Sequence, residues 1–136
     1  MKGVSRLSVL LARTFSRRYT KEHEWVDLPE NSSECSIGIT DYAQNALGGV
    51  VYLSFPKQGQ KFKGGEEMGE IESPKAVSKI YSPLALEVTS VNSELESNLG
   101  TINEKAEKTW LYKGRVLNKG EFQTLLTEEQ YKDLIK

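Results

Sequence analysis

The sequence predicts a mainly β domain, a sandwich or barrel of short strands with short helices after the second strand and at the C-terminus. Three observations carry that expectation. From Thr20 on, turn residues punctuate short apolar stretches at intervals of about 8–12 residues, the spacing of sandwiches and barrels. Polar and apolar residues alternate almost continuously on either side of Glu72–Val77, the period of half-buried strands. Helix-start signals stand out at two places, after Thr40 and after Thr127. A length of 136 residues suits one such domain.

In order, the candidate strands are Glu24–Asp27, Cys35–Ile39, Val50–Phe55, Met68–Glu72, Val77–Tyr81, Leu86–Val91 and Trp110–Leu117. Between the second and third, Thr40 can cap a short helix through Asp41, Tyr42, Ala43, Gln44 and Leu47. Asp41 suits its positive end, and Gly48-Gly49 terminates it. Leu117-Asn118-Lys119-Gly120 breaks the chain, after which Phe122, Leu125 and Leu126 suggest another helical turn on the sheet. Thr127 and Gln130 form a capping-box pattern with Leu126 and Tyr131 at the staple positions, so a last helix is expected over Glu128–Leu134. No low-complexity stretch or solenoid period is present.

The overall charge conceals two different segments. The chain has 18 Lys and Arg against 19 Asp and Glu, yet Lys2, Arg6, Arg13, Arg17 and Arg18 fall within residues 1–19, which contain no acid. Residues 20–136 keep 13 basic and 19 acidic side chains, a balance that argues against nucleic acid as partner of the folded part. At a helical step, Val4, Leu7, Leu11 and Phe15 share one arc and Lys2, Arg6, Arg13 and Arg17 the opposite one. An amphipathic, Arg-rich, Ser-containing, acid-free start is the composition of a mitochondrial transit peptide, with removal expected near Arg17, Arg18 and Tyr19. The rivals are a membrane-surface helix and a secretory signal, whose apolar run, Val9–Ala12, would be very short. A transmembrane span needs about 20 apolar residues and is excluded. The expected organisation is therefore a transit peptide over 1–19 and one folded domain over 20–136.

Few residues point to chemistry of their own. One Cys and one His cannot form a disulfide framework or the usual four-ligand His/Cys zinc site. A Cys35–His23 nucleophilic pair would need the two to meet, and nothing local argues for it. His23, between Glu22 and Glu24, reads as a surface histidine with raised proton affinity, and Cys35 as a small buried hydrophobe. Trp25 and Trp110 read as core or core-edge aromatics. Gly64-Gly65 is a turn without the Lys-Ser/Thr of a phosphate loop. The remaining feature is Glu72-Ser73-Pro74-Lys75-Ala76-Val77, where Pro74 preorganises a tight turn and places Lys75 at its tip, its amine directed into solvent. On turn chemistry alone this is one solvated lysine among thirteen.

The stretch Gly69-Glu-Ile-Glu-Ser-Pro-Lys75-Ala-Val-Ser-Lys-Ile-Tyr-Ser-Pro83 resembles the lipoyl-lysine hairpin of the H-protein family of the glycine cleavage system. Four further segments match in order: Tyr19-Thr-Lys-Glu-His-Glu-Trp25-Val, Gly38-Ile-Thr-Asp-Tyr-Ala-Gln44 with Leu47-Gly48, Val51-Tyr-Leu-Ser-Phe-Pro56 with Gly59, and Leu125-Leu126 with Glu129-Gln-Tyr131. The resemblance thus covers Tyr19 to about Tyr131. It implies a lipoyl-domain-like β-sandwich/barrel hybrid and a non-enzymatic carrier, with (R)-lipoate joined by an amide to Lys75. A lysine plus lipoyl arm reaches on the order of 14 Å. It also implies the partners: a pyridoxal-phosphate glycine decarboxylase (P protein), a tetrahydrofolate-dependent aminomethyltransferase (T protein), a flavin dihydrolipoyl dehydrogenase (L protein) and a lipoylating enzyme, in the mitochondrial matrix, without stable membrane association. The family role is to shuttle the aminomethyl group of glycine from the P to the T protein. In the family the loaded arm folds back into a cleft near the first strand, where Glu24 would be the matching acid.

The chain departs from the family pattern in several places. Pro74 stands where Val is usual, Lys79 and Gly49 where acids are usual, Ala85-Leu86 in place of Ser-Gly, and Leu99 in place of Pro before Gly100. Thr101–Trp110 lacks the usual Pro-Tyr and the Gly before Trp. A reversed charge at Lys79 bears on recognition by the lipoylating enzyme and on docking. The alternatives are a relay that passes lipoate to other proteins and a lipoyl or biotinyl domain of a 2-oxo acid dehydrogenase or carboxylase. The latter would show Asp-Lys-Ala or Met-Lys at the lysine. An independent enzyme is disfavoured by the lack of an acid/base constellation.

Overall fold

The computed structural model describes residues 15–136. Nine strands form two antiparallel sheets. Strands β1 (Phe15–Tyr19), β2 (Glu24–Pro29), β3 (Glu34–Ile39), β9 (Tyr112–Val116), β8 (Leu86–Val91) and β5 (Lys61–Phe62) make a six-stranded sheet in that order. The smaller sheet has the order β4 (Tyr52–Leu53), β6 (Glu67–Ser73) and β7 (Ala76–Tyr81). Alternation decides which face each strand buries. In β8, Leu86 and Val88 point inward, and in the small sheet Leu53, Met68, Ile71 and Ile80 do so. They share one apolar core with Val26, Ile37 and Leu111, whose removal from water drives the two sheets together. The fold is the expected mainly β one with short helices.

Helix α1 (Asp41–Leu47) begins where expected: the Thr40 hydroxyl accepts from the Ala43 N–H at 3.2 Å, and Gly48 ends the helix at φ 89°. A second short helix, α2 (Gly100–Lys105), lies between two 3-10 turns (Ser93–Ser97 and Ala106–Lys108). No strong cap signal announces it, and its N-cap, Leu99, makes no side-chain cap bond. The break at Asn118 starts a 3-10 turn over Lys119–Thr124, and α3 runs over Glu128–Leu134 with the reciprocal Thr127–Gln130 capping box in place. Leu126 and Tyr131 pack in one small cluster with Tyr19 and Trp25.

Three expectations change. The stretch Val50–Phe55 forms only the two-residue strand Tyr52–Leu53, because the Ser54 hydroxyl and N–H take up Glu70 backbone groups beyond the regular ladder. Strand β5 was not legible, being two residues long. The third concerns the basic start. Residues 1–14, with Val4, Leu7 and Leu11 of the expected amphipathic arc, lie outside the described residues. Phe15–Tyr19, however, is an edge strand in register with β2, from Phe15 opposite Pro29 to Tyr19 opposite Trp25. Arg17 grips Asp27 through Nε at 2.6 Å and Nη2 at 3.0 Å, reaches Glu107 at 3.1 Å, and lies 4.0 Å over the Trp25 ring. Arg18 donates to the Leu125 carbonyl at 3.1 Å, and Tyr19 stacks on Tyr131 at 4.6 Å.

Trp25 itself is 2% exposed and donates Nε1–H to the Ala106 carbonyl at 3.0 Å. Its ring covers Gly38 on the neighbouring strand, where any side chain would overlap it. Trp110 is half-buried beneath Lys113. Cys35 is fully buried, which pushes its thiol up to about 12, so it is the inert apolar residue expected.

Candidate functional site

The hairpin β6–β7 has a two-residue connection: Ser73 pairs with Ala76, leaving Pro74 and Lys75 at the tip. Neither has a positive φ, so the turn is not one of the mirror-image types whose twist matches a hairpin. The Ser73 side chain compensates. Its Oγ accepts from the Lys75 N–H at 3.3 Å and the Ala76 N–H at 3.1 Å, so both amides of the turn have a partner. Ser73 is 7% exposed, which fixes the hydroxyl in place.

Lys75 is exposed, as expected, but its side chain does not stand straight out from the sheet. Its stem lies along Gly48 at the end of α1. A methyl group on Gly48 would come within 3.2 Å of Lys75 Cε and 3.9 Å of Nζ. The loop carrying Gly48 is itself pinned. The Asn103 side-chain amide donates to the Gly48 carbonyl at 2.7 Å and to Gln44 Oε1 at 3.1 Å, while its oxygen accepts from the Val50 N–H at 2.9 Å. The lysine therefore emerges over a rigid glycine cradle at the negative end of a helix, which favours a cation.

Beside the tip is a cleft of about 270 Å³. One wall is β7, with Ala76, Val77 and Ser78, and the other is α1, with Tyr42, Ala43, Ala46 and Leu47. Glu22 and His23, on the turn between β1 and β2, close one end. Small side chains on the helix keep the cleft open, and its walls are mostly apolar. Val77 is 60% exposed and Tyr42 46%, an uncommon amount of apolar surface around one lysine.

The acidic residues fall differently from expectation. Glu24 does not line this cleft and is not solvated; it is 2% exposed. One carboxylate oxygen accepts from the Thr20 hydroxyl at 2.8 Å and the other from the Tyr81 N–H at 2.8 Å. It thereby ties the large sheet to the hairpin sheet, and burial pushes it up to about 7. Glu22 takes the place beside the cleft. Lys79 sits between Glu67 and Glu70, at 3.2 and 3.0 Å, so its reversed charge is neutralised by its own sheet and that face stays acidic. His23 also differs from a surface histidine: it is half-buried with φ 71°. Burial lowers its proton affinity more than the neighbouring Glu22 raises it.

The sequence placed Lys75 at the tip of a hairpin turn and a helix after Thr40, as the structure does, but missed that Gly48, Ala46, Tyr42 and His23 lie beside the hairpin. Only the third dimension brings α1 against β7. A usable signal was the run of small residues in and just after the helix, Ala43, Ala46, Gly48 and Gly49.

Comparison with known proteins agrees with this arrangement. The family model for the glycine cleavage H-protein matches residues 17–136. The mitochondrial glycine cleavage system H protein of Drosophila melanogaster is 42% identical over 127 residues, covering 93% of this chain and 75% of that protein. The H protein of Acidobacterium capsulatum is 40% identical over 119 residues, covering 88% of this chain and 91% of that one. The crystal structure of an H protein from Mycobacterium marinum superposes with a TM-score of 0.77 at 32% identity, over 87% of this chain and 94% of the other. With a family match that begins inside β1 and runs to the last residue, this chain belongs to the glycine cleavage H-protein family.

Proposed function

We infer that the protein is the lipoyl carrier of glycine cleavage, a subunit without chemistry of its own, and that Lys75 is the residue to which (R)-lipoate is attached. The observation that carries this is the placing of one exposed amine on a rigid two-residue turn, beside an apolar cleft and over a glycine that a Cβ would fill. Attachment needs an amine that a lipoylating enzyme can reach without unfolding anything, and the Ser73 bonds hold the tip in one shape while leaving Nζ free. The residues present fit the group. The cleft offers methyl and aromatic surface to a hydrocarbon arm, and Gly48 leaves room for the arm's stem. When attached, lipoate supplies disulfide–dithiol exchange. The protein's part is positioning: a rigid tip delivers the arm outward on the order of 14 Å, and the cleft shields it from water between visits.

The partners in this reading are the decarboxylase, aminomethyltransferase and dihydrolipoyl dehydrogenase of the system, with a lipoylating enzyme. The basic start directs the chain to the mitochondrial matrix, in keeping with the mitochondrial Drosophila relative. Removal of the leader belongs before Phe15 and not at Tyr19, because Arg17, Arg18 and Tyr19 hold the sheet edge together.

Intact-mass and N-terminal analysis of the mature protein from its source tests all three points. One added lipoyl group, absent from Lys75→Arg, and an N-terminus at or before Phe15 are expected. An unmodified Lys75 in a chain with an otherwise active lipoylating system refutes the carrier reading. Failure of the lipoylated protein to support glycine-dependent transfer to tetrahydrofolate refutes its place in glycine cleavage.

A further inference from the structure

We propose that His23 is a positioning residue of the cleft beside Lys75, held as the neutral imidazole with its proton on Nε2, which it presents as a fixed hydrogen-bond donor to an acceptor on the arm seated there. This rests on the reading of the cleft as the resting place of the arm.

The backbone supplies the first observation. His23 has φ 71°, a left-handed conformation that costs a non-glycine residue and that persists only where the surroundings enforce it. Here they do: its N–H donates to the Thr20 carbonyl at 3.1 Å, and its carbonyl accepts from the Thr40 N–H at 3.0 Å. The ring is fixed as well, 4.5 Å from that of Tyr42 between centroids.

The hydrogen-bond polarity supplies the second. His23 Nδ1 is 2.8 Å from Tyr131 Oη, which is 2.7 Å from Thr40 Oγ1. Thr40 already accepts from the Ala43 N–H and is 1% exposed, so its proton cannot go to water and has Tyr131 Oη to go to. A hydroxyl carries one proton. Tyr131, accepting from Thr40, gives its own to His23, which makes Nδ1 an acceptor and leaves the proton on Nε2. The reverse direction would strand the Thr40 proton in the interior, against the rule that buried donors are paired. Burial, which disfavours the imidazolium, acts the same way.

Tyr131 is not among the cleft residues and His23 is, and with Nδ1 engaged by Tyr131 the ring nitrogen left to the cleft is Nε2. Nε2 has no partner among the described residues. A capped helix at the far C-terminus thus sets the proton position of a side chain facing the arm, through a chain of three groups. In a mostly apolar cleft, one fixed donor fixes the orientation of the acceptor that enters.

The single histidine of the sequence makes the test direct. In the full chain labelled with ¹⁵N at histidine, long-range proton–nitrogen spectra are expected to show Nδ1 unprotonated and hydrogen-bonded and Nε2 protonated, with Nδ1 losing its partner in Tyr131→Phe. A proton on Nδ1 overturns the proposal. On lipoylation of Lys75 the Nε2–H resonance is expected to move together with the Ala43 and Ala46 methyl signals, which report occupation of the cleft independently. Methyl signals that move while Nε2–H does not would overturn the role of His23 and leave the cleft reading standing. If neither moves in the fully lipoylated chain, both fall. His23→Asn, which tolerates the left-handed backbone and keeps a donor, is expected to retain the cleft-bound arm. His23→Ala is expected to lower its bound population about fivefold, the worth of one neutral hydrogen bond.

Discussion

Replacing Glu24 by Gln is expected to stabilise this protein at pH 8 and to do little at pH 5. Glu24 is a carboxyl group inside the fold, 2% exposed, and burial moves it from an ordinary value near 4.5 to about 7. The folded state therefore keeps a proton over a range in which the unfolded chain has released it, and stability falls as pH rises through that window. Between pH 5 and pH 8 the loss amounts to about 2–3 kcal/mol. Glutamine removes this term while keeping an oxygen for the Tyr81 N–H, and its amide can face Thr20 Oγ1, which turns from donor to acceptor. The assay is urea denaturation of both proteins at pH 5 and pH 8, with the midpoint converted to free energy at unchanged slope. Comparing the two variants cancels every other titrating group. The expected result is a Gln advantage that grows by about 2–3 kcal/mol from pH 5 to pH 8. An equal difference at the two pH values, or a Glu24→Gln protein less stable at pH 8, refutes the reasoning and shows that the site is built for the anion.

Gly48→Ala places a side chain at φ 89° and crowds Lys75 Cε at 3.2 Å. It is expected to cost about 1–2 kcal/mol in thermal or urea melts and to slow enzymatic lipoylation of Lys75, followed by mass. Normal stability with normal lipoylation would mean that the cradle has no bearing on the arm. Arg17→Ala removes a forked pair with Asp27 and a face contact with Trp25. We expect a loss of about 2 kcal/mol, with Arg17→Lys restoring less than half because an ammonium cannot make the fork. A change within about 0.5 kcal/mol would mean that β1 is held by its backbone alone.

What was legible in the sequence is what depends on neighbours along the chain. Thr40 and Thr127 announce their helices because a cap is a contact over three residues, and both cap bonds form. The alternation of Leu86, Val88 and their flanks gives β8 its range without correction. What was not legible depends on contacts between distant segments. Strand β5 exists because Lys61 and Phe62 lie opposite Glu87 and Leu86, not because of a local pattern. The edge strand β1 was hidden for a different reason. Arg17, Arg18 and Tyr19 fit the composition of a leader, and only the partners Asp27, Glu107 and Leu125, ten and more residues away, show that their charge and ring are used by the fold. The same distinction separates the parts of the site. Lys75 was readable because a two-residue turn is local, whereas the cleft needs α1 beside β7.

Three locally unfavourable features of the described residues lie in the β1–β2 connection, the start of β2 and the hairpin turn. His23 takes a left-handed conformation, Glu24 is buried with an altered proton affinity, and Pro74-Lys75 makes a hairpin turn of the wrong twist for its strands. The first two are successive residues where the β1–β2 turn enters β2, and Glu24 bonds to the far end of the same β7 that leaves the lysine turn. Among the described residues the other non-glycine residue with positive φ, Asn31, is of a type that adopts it at little cost and lies in the turn between β2 and β3. Elsewhere capping, alternation and core packing agree with one another, as they do in sequences selected to fold. Where such rules are broken together, the breaks concentrate at sites that do something. In the carrier reading proposed above, the cluster around the β1–β2 turn and the hairpin is the working face of the molecule, and the conformation of the β1–β2 turn serves the cleft beside the lysine.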